Sequence, residues 1–143
     1  MRTALVALIC LALLAACDMP HPFSSDIGEH RFGETFSTSA GKTEMIERKV
    51  IVSFIAVVED SRCPKRVTCI WQGEVKVRIG VMLRDETQSP AQREVVLSTL
   101  SDAAGTATIQ GFRVELVDVS PYPEEGGPIV SAKYSVTLRV TRE

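Results

Sequence analysis

Between Glu59 and Gly73 the chain gathers most of the side chains that could do chemistry: Glu59, Asp60, Arg62, Cys63, Lys65, Arg66, Cys69 and the lone tryptophan, Trp71. Five residues separate Cys63 from Cys69. A disulfide, a redox-active thiol pair or a metal-binding pair are the chemistries open to two cysteines. The spacing departs from the two-residue gap of redox and zinc knuckles, and the only histidines, His21 and His30, lie well upstream. The charged residues admit two readings. In the structural one, Pro64 restricts an irregular connection, Asp60 caps the turn or pairs with Arg62, and Trp71 covers the sulfurs and a sheet edge. In the functional one, Asp60, Arg62, Lys65, Arg66 and Trp71 form a rigid recognition surface for an acidic partner or an envelope polymer, because a preorganised loop loses less entropy on binding. A subsidiary form of the second makes Lys65 or Arg66 the bait of a protease-inhibitor-like loop.

Catalytic chemistry finds less support. No histidine falls in the segment that reads as folded, so no serine or cysteine has an evident base, and no metal-ligand cluster or cofactor motif appears. Glu59–Asp60 and Glu124–Glu125 are adjacent carboxylates, and neighbours on a strand point to opposite faces, which argues against a shared acid–base site. A hydrolase built from carboxylates on different strands stays open as an alternative. The second loop of note, Ser120-Pro121-Tyr122-Pro123-Glu124-Glu125-Gly126-Gly127-Pro128, is long for a strand connection, and long loops often carry function.

The N-terminus states an address. Met1-Arg2-Thr3 precedes an apolar run from Ala4 to Ala16, about thirteen residues where a membrane-spanning helix needs roughly twenty. One positive residue, a compact apolar stretch and small residues at its end are the pattern of a removed secretory segment. Leu14-Ala15-Ala16-Cys17 resembles the lipobox of bacterial lipoproteins. That resemblance implies a diacylglyceryl thioether on Cys17, cleavage before it, and acylation of the new amine by a fatty acid such as palmitate. Two or more acyl chains hold a protein on a membrane stably. With Cys10 leaving in the signal and Cys17 taken by lipid, Cys63 and Cys69 are left to pair in an oxidising compartment. Asp18 resembles the inner-membrane retention signal of enteric bacteria, and the expected location is the periplasmic face of the inner or the outer membrane.

A second resemblance covers the loop itself. Asp60-Ser61-Arg62-Cys63-Pro64 followed by Cys69-Ile70-Trp71-Gln72-Gly73 is similar to the Asp-Ser-Arg-Cys-Pro and Cys-x-Trp-x-Gly stretches of a group of small bacterial lipoproteins, and extends weakly to Pro121-Tyr122-Pro123 and the last strand. It implies a shared β fold and lends no activity.

The elements that must position these residues read as strands. Removing residues 1–16 leaves 127 of the 143, enough for one domain with its own core, and changes the formal charge from −2 to −3. No concentrated basic face suggests nucleic acid. Residues 17–31, with two prolines and little periodicity, predict a lipidated flexible tether in which His21 and His30 are solvated. Residues 32–143 are written in period two. Tyr134, Val136, Leu138 and Val140 alternate with polar residues in one strand, and Val75, Val77, Ile79 and Val81 in another. Phe112, Val114 and Leu116 do so in a third, which shifts register near Val117 through a bulge. Lys49–Glu59, apolar on both faces, reads as a central strand, and shorter strands are expected at Glu34–Thr38 and Arg93–Thr99. Turns are expected at 85–90, 101–106 and 120–131, with a turn of helix near Leu100–Ala104. The core candidates are Val50, Val52, Phe54, Ile55, Val75, Val77, Ile79, Val95, Leu97, Phe112, Val114, Leu116, Tyr134, Val136 and Leu138. Short strands at this spacing predict an all-β, antiparallel sandwich, immunoglobulin-like or Greek-key, with a partly open barrel as the alternative.

Overall fold

The structure is a computed structural model that describes residues 27–84, 92–125 and 127–143. Cys10, Cys17, His21 and the turn expected at 85–90 lie outside the described residues.

Alternation of apolar and polar side chains builds two sheets. In chain order the strands are β1 (Gly28–His30), β2 (Thr35–Ser39), β3 (Thr43–Ile46), β4 (Val50–Asp60), β5 (Val75–Leu83), β6 (Gln92–Ser98), β7 (Thr106–Ile109), β8 (Phe112–Ser120) and β9 (Ser135–Arg142). One sheet has the order β1-β3-β4-β5-β6 and the other β2-β9-β8-β7. Two separate sheets rather than a closed ring make this a β-sandwich and set aside the barrel alternative. Strands β3 to β6 follow one another as a meander in the first sheet and β7 to β9 in the second, while β2 crosses over to pair with β9.

Strand β4 is central, as its apolar run requires. Val50, Val52 and Phe54 are fully buried between the sheets, and Ile51, Ser53 and Ile55 are half-buried on the opposite face. Val75, Val77, Ile79 and Val81 from β5 meet Val114 and Val119 from β8 and Val136, Leu138 and Val140 from β9 in one core. Phe36, Ile46, Leu97, Ile109 and Tyr134 complete it. Of the expected core, Ile55, Val95, Phe112 and Leu116 are only partly buried, the last three packed against its margin.

The bulge expected in β8 falls between Leu116 and Asp118, where pairing with β9 slips by one residue and turns Val117 to solvent. Leu100–Ala104 forms a turn without a helix, and among the described residues the one helical element is a 3-10 turn at Ser131–Lys133.

Three strands were not expected: β1, β3 and β7. The tether read as far as Arg31 gives way earlier, because Gly28–His30 pair in parallel with Glu44–Ile46. This is the one parallel pair among otherwise antiparallel neighbours in the described sheets. His30 is correspondingly held rather than solvated, its ring stacked on Phe36 at 4.5 Å and its Nε2 3.3 Å from Glu44 Oε2.

Candidate functional site

The registers bring the end of β4, the start of β5, and the ends of β6 and β8 to one end of the sandwich, together with the start of β9. We call this end the tip. Three connections meet there: Ser61–Glu74, Thr99–Gly105 and Pro121–Tyr134.

The first connection prolongs the β4–β5 ladder. Ser61 N donates to the Glu74 carbonyl at 2.8 Å and Cys63 N to the Gln72 carbonyl at 3.0 Å, with the Ser61 hydroxyl also bonding the Glu74 backbone. Gly73 stands here at φ 69°, so close to Ser61 that an added Cβ would collide with the Ser61 carbonyl. Beyond this ladder Cys63 and Cys69 form a disulfide, their Cα atoms 5.9 Å apart.

Asp60 and Arg62 then leave the surface. The Arg62 guanidinium grips Asp60 with two bonds, Nε to Oδ1 at 2.9 Å and Nη2 to Oδ2 at 2.7 Å, and the Arg62 backbone N–H donates to Oδ1 at 3.2 Å. Its remaining donors reach the other sheet, Nη1 to the Val119 carbonyl at 2.7 Å and Nη2 to the Pro121 carbonyl at 2.9 Å. Tyr134 donates its hydroxyl to Asp60 Oδ2 at 2.8 Å. The Tyr122 ring lies 4.9 Å from the guanidinium carbon, within cation–π range. Arg62 is therefore a stitch between the sheets. The functional reading, which put Arg62 on a recognition surface, is corrected for this reason: its donors find acceptors inside the fold. The capping and pairing of Asp60, weighed in the structural reading, are both present.

Electrostatics follows the geometry. Burial by itself would raise the Asp60 carboxyl, but the hydrogen bonds from Arg62 and Tyr134 and the guanidinium charge hold it below its ordinary 3.8. Tyr134 is pushed up to about 12, first by burial and then by the carboxylate that accepts its hydrogen bond. Glu74, which accepts from the Ser98 hydroxyl and pairs with Lys76, is also lowered, chiefly by that Ser98 bond.

Lys65 and Arg66 do stay exposed, on the disulfide-closed turn. Lys65 N donates to the Pro123 carbonyl at 3.0 Å, and its ammonium lies 3.9 Å from Glu124. Arg66 takes a left-handed backbone at φ 68°. The two loops singled out in the sequence thus touch, through a contact between residues far apart in the chain.

Trp71 does not cover the sulfurs as a buried lid. It is 79% exposed, beside Ile70 at 88%, and Leu100 on the neighbouring connection is 68% exposed. Leu100 is nonetheless firmly based: its N–H donates to Ser98 Oγ at 3.0 Å, and Thr99 bonds Val75 through backbone and side chain. Trp71, Leu100, Val117 and Tyr122 line a groove of about 610 Å³. Arg62 forms part of its wall and also of the wall of a second groove, about 490 Å³, that holds Glu59, Asp60, Glu124 and Glu125. The two carboxylate pairs do converge in that second groove. Asp60 is committed to Arg62 and Tyr134, Glu59 to Lys76 at 3.0 Å, and Glu124 lies beside Lys65.

Among the described residues no group of three or more His, Cys, Asp and Glu is placed to hold a metal ion. Sequence reasoning missed Tyr134 as a polar partner, having read it as core alone, and missed Ile70, Leu100 and Val117 as exposed apolar surface. A tyrosine at the head of an alternating strand was the available signal for the first. No protein-family model matches the chain, and no curated protein or solved structure is significantly similar to it.

Proposed function

We propose that this protein is a lipid-anchored module of the bacterial cell envelope, held at the periplasmic face by acyl chains on Cys17. Its role in this reading is binding or structural support rather than catalysis. The observation that carries the binding role is the bare Ile70–Trp71 pair on a connection fixed by a disulfide, a backbone ladder and the Arg62 stitch. Large apolar side chains held rigidly in solvent are the anchors that binding surfaces use. Lys65, Arg66 and Trp71 remain available on this surface, while Asp60 and Arg62 serve by holding it in shape. The anchor itself rests on the lipobox resemblance and the length of the apolar run. Replacing Cys17 with serine is expected to release the protein from membranes or to leave it unprocessed, read by membrane fractionation and gel mobility. Unchanged fractionation and processing would refute the anchor.

The carboxylate-lined groove favours a second reading, a hydrolase. A general acid needs its pKa raised towards neutrality, whereas Asp60 is held low and has its oxygens occupied, which supports the non-catalytic reading. The inhibitor reading is weakened by the backbone of its bait: a protease cleft pairs with an extended strand, and Arg66 is left-handed while Lys65 is bonded to Pro123.

A further inference from the structure

The geometry points to the lipid bilayer as the surface that the tip recognises: Ile70, Trp71 and Leu100 insert into the interfacial layer of the same membrane that carries the Cys17 anchor. This deepens the proposed function and rests on its anchored-module reading.

Three observations converge. The exposed apolar groups come from separate connections, Ile70 and Trp71 from one, Leu100 from the next and the half-exposed Tyr122 from the third, and all crown one end of the sandwich. A tryptophan and a tyrosine among aliphatic side chains have the composition of a membrane-interface belt, where the ring sits at headgroup level.

The direction of β1 supplies the second. Gly28 pairs with Glu44, and Thr43 with Ser53, so the chain preceding Gly28 approaches from the side towards which β4 runs to Asp60. The chain therefore enters the sandwich heading away from the tip. Third, nine residues separate Cys17 from Ile27, ten Cα-to-Cα steps with a reach of at most about 33–36 Å. From the Ser53 level to Asp60 is seven residues of β4, about 23 Å, and the ladder that continues through Cys63 adds three more, about 10 Å. Anchor and tip can touch one bilayer surface together.

Charge does not provide the attraction. Glu124 and Glu125 sit beside Lys65 and Arg66, and Asp118 lines the groove that holds Trp71 and Leu100, so the contact is apolar and zwitterionic lipid suffices.

Trp71, the only tryptophan of the chain, reports on the contact directly. The full chain, purified from bacterial membranes, is reconstituted in phosphatidylcholine vesicles brominated near the acyl carbonyl, and the Cys17 peptide is weighed by mass spectrometry. Expected is a blue-shifted Trp71 emission, quenched at least about twofold by bromine and insensitive to salt. In Ile70→Ser combined with Leu100→Ser the quenching is lost while the protein stays in the vesicles. Without its anchor, this double variant should partition at least about tenfold more weakly, since two large apolar side chains no longer leave water on insertion. Both residues are solvent-exposed, and the melting temperature checks that the fold survives. Solvent-like, unquenched Trp71 emission in the wild-type chain overturns the proposal. So does emission shifted only in native envelope membranes and never in pure lipid, which would identify a protein partner. An unmodified Cys17 peptide defeats the anchor reading alone, and the same vesicles added to that unanchored chain still decide whether the tip inserts.

Discussion

Two arginine–carboxylate–aromatic assemblies sit at opposite ends of the sandwich. At the tip, Arg62 pairs with Asp60 and lies over Tyr122. At the far end, Arg142 Nη2 lies 3.0 Å from Glu47 Oε2 and its guanidinium sits 4.3 Å from the centre of Phe32, itself stacked on Phe112. The chemistry is the same and the surroundings differ. The Arg62 and Asp60 side chains are 7% and 9% exposed, those of Arg142 and Glu47 51% and 42%. In solvent, an ion pair gains little over its hydrated parts. Inside, removing one partner strands the other without water or counter-charge. The far end thus uses its cation to cover aromatic surface. The tip spends its cation on joining two sheets and leaves Trp71 bare.

The largest test of this contrast is a pair of substitutions read by chemical denaturation. Arg62→Ala is expected to cost about 3–5 kcal/mol, because Asp60 stays buried and unpaired. Arg142→Ala should cost less than about 1 kcal/mol. Equal losses would abolish the distinction between the two ends. Next in size is the disulfide: Cys63→Ser with Cys69→Ser should cost about 2 kcal/mol through the entropy of a short loop. Its increase in amide exchange should be confined to Ser61–Glu74, leaving the Phe32 end protected.

Smaller than the loss of the disulfide is Tyr134→Phe, about 1.5 kcal/mol for a hydrogen bond to a charged acceptor. Its sharper signature lies in pH. Tyr134 has a raised pKa in the fold, so its contribution is complete below its ordinary 10.0 and fades as pH rises from 10 towards about 12. Asp60 has a lowered one, so its contribution is complete above about 4 and is lost as pH falls through the folded value. Tyr134→Phe should flatten stability between pH 10 and 12 while leaving an acid limb. An unchanged alkaline limb would remove Tyr134 from the clamp.

Much of the fold was legible because burial on one face leaves a period-two trace in strands as long as β4, β5, β8 and β9. The slip at Val117 was legible for the same reason, as a break in that trace. Strands β1, β3 and β7 were not: Gly-Glu-His, Thr-Glu-Met-Ile and Thr-Ala-Thr-Ile are too short to show a period, and they are strands because of what they pair with. At the site, the Asp60–Arg62 pairing could be weighed because its partners are two residues apart. The reach of Arg62 to Val119 and Pro121, 57 and 59 residues away, has backbone carbonyls as its targets, and a carbonyl leaves no mark in residue type. For Trp71 the sequence left a covering role and an exposed one both open, because a lone tryptophan beside cysteines suits either, and three connections had to meet before its surroundings could be known.

The margins of the two sheets have a consequence for life in a crowd. Held by lipid in two dimensions, as proposed, the domain would meet copies of itself far more often than in free solution, and open strand edges pair readily with one another. Here the outermost strands are poor templates. Strands β1 and β7 have three and four residues, β2 alternates exposed Thr35, Ser37 and Ser39 with its buried positions, and β6 begins Gln92-Arg93-Glu94. Brevity, hydroxyls and charge make sheet-to-sheet polymerisation unfavourable, so that neighbours at high surface density can stay separate molecules.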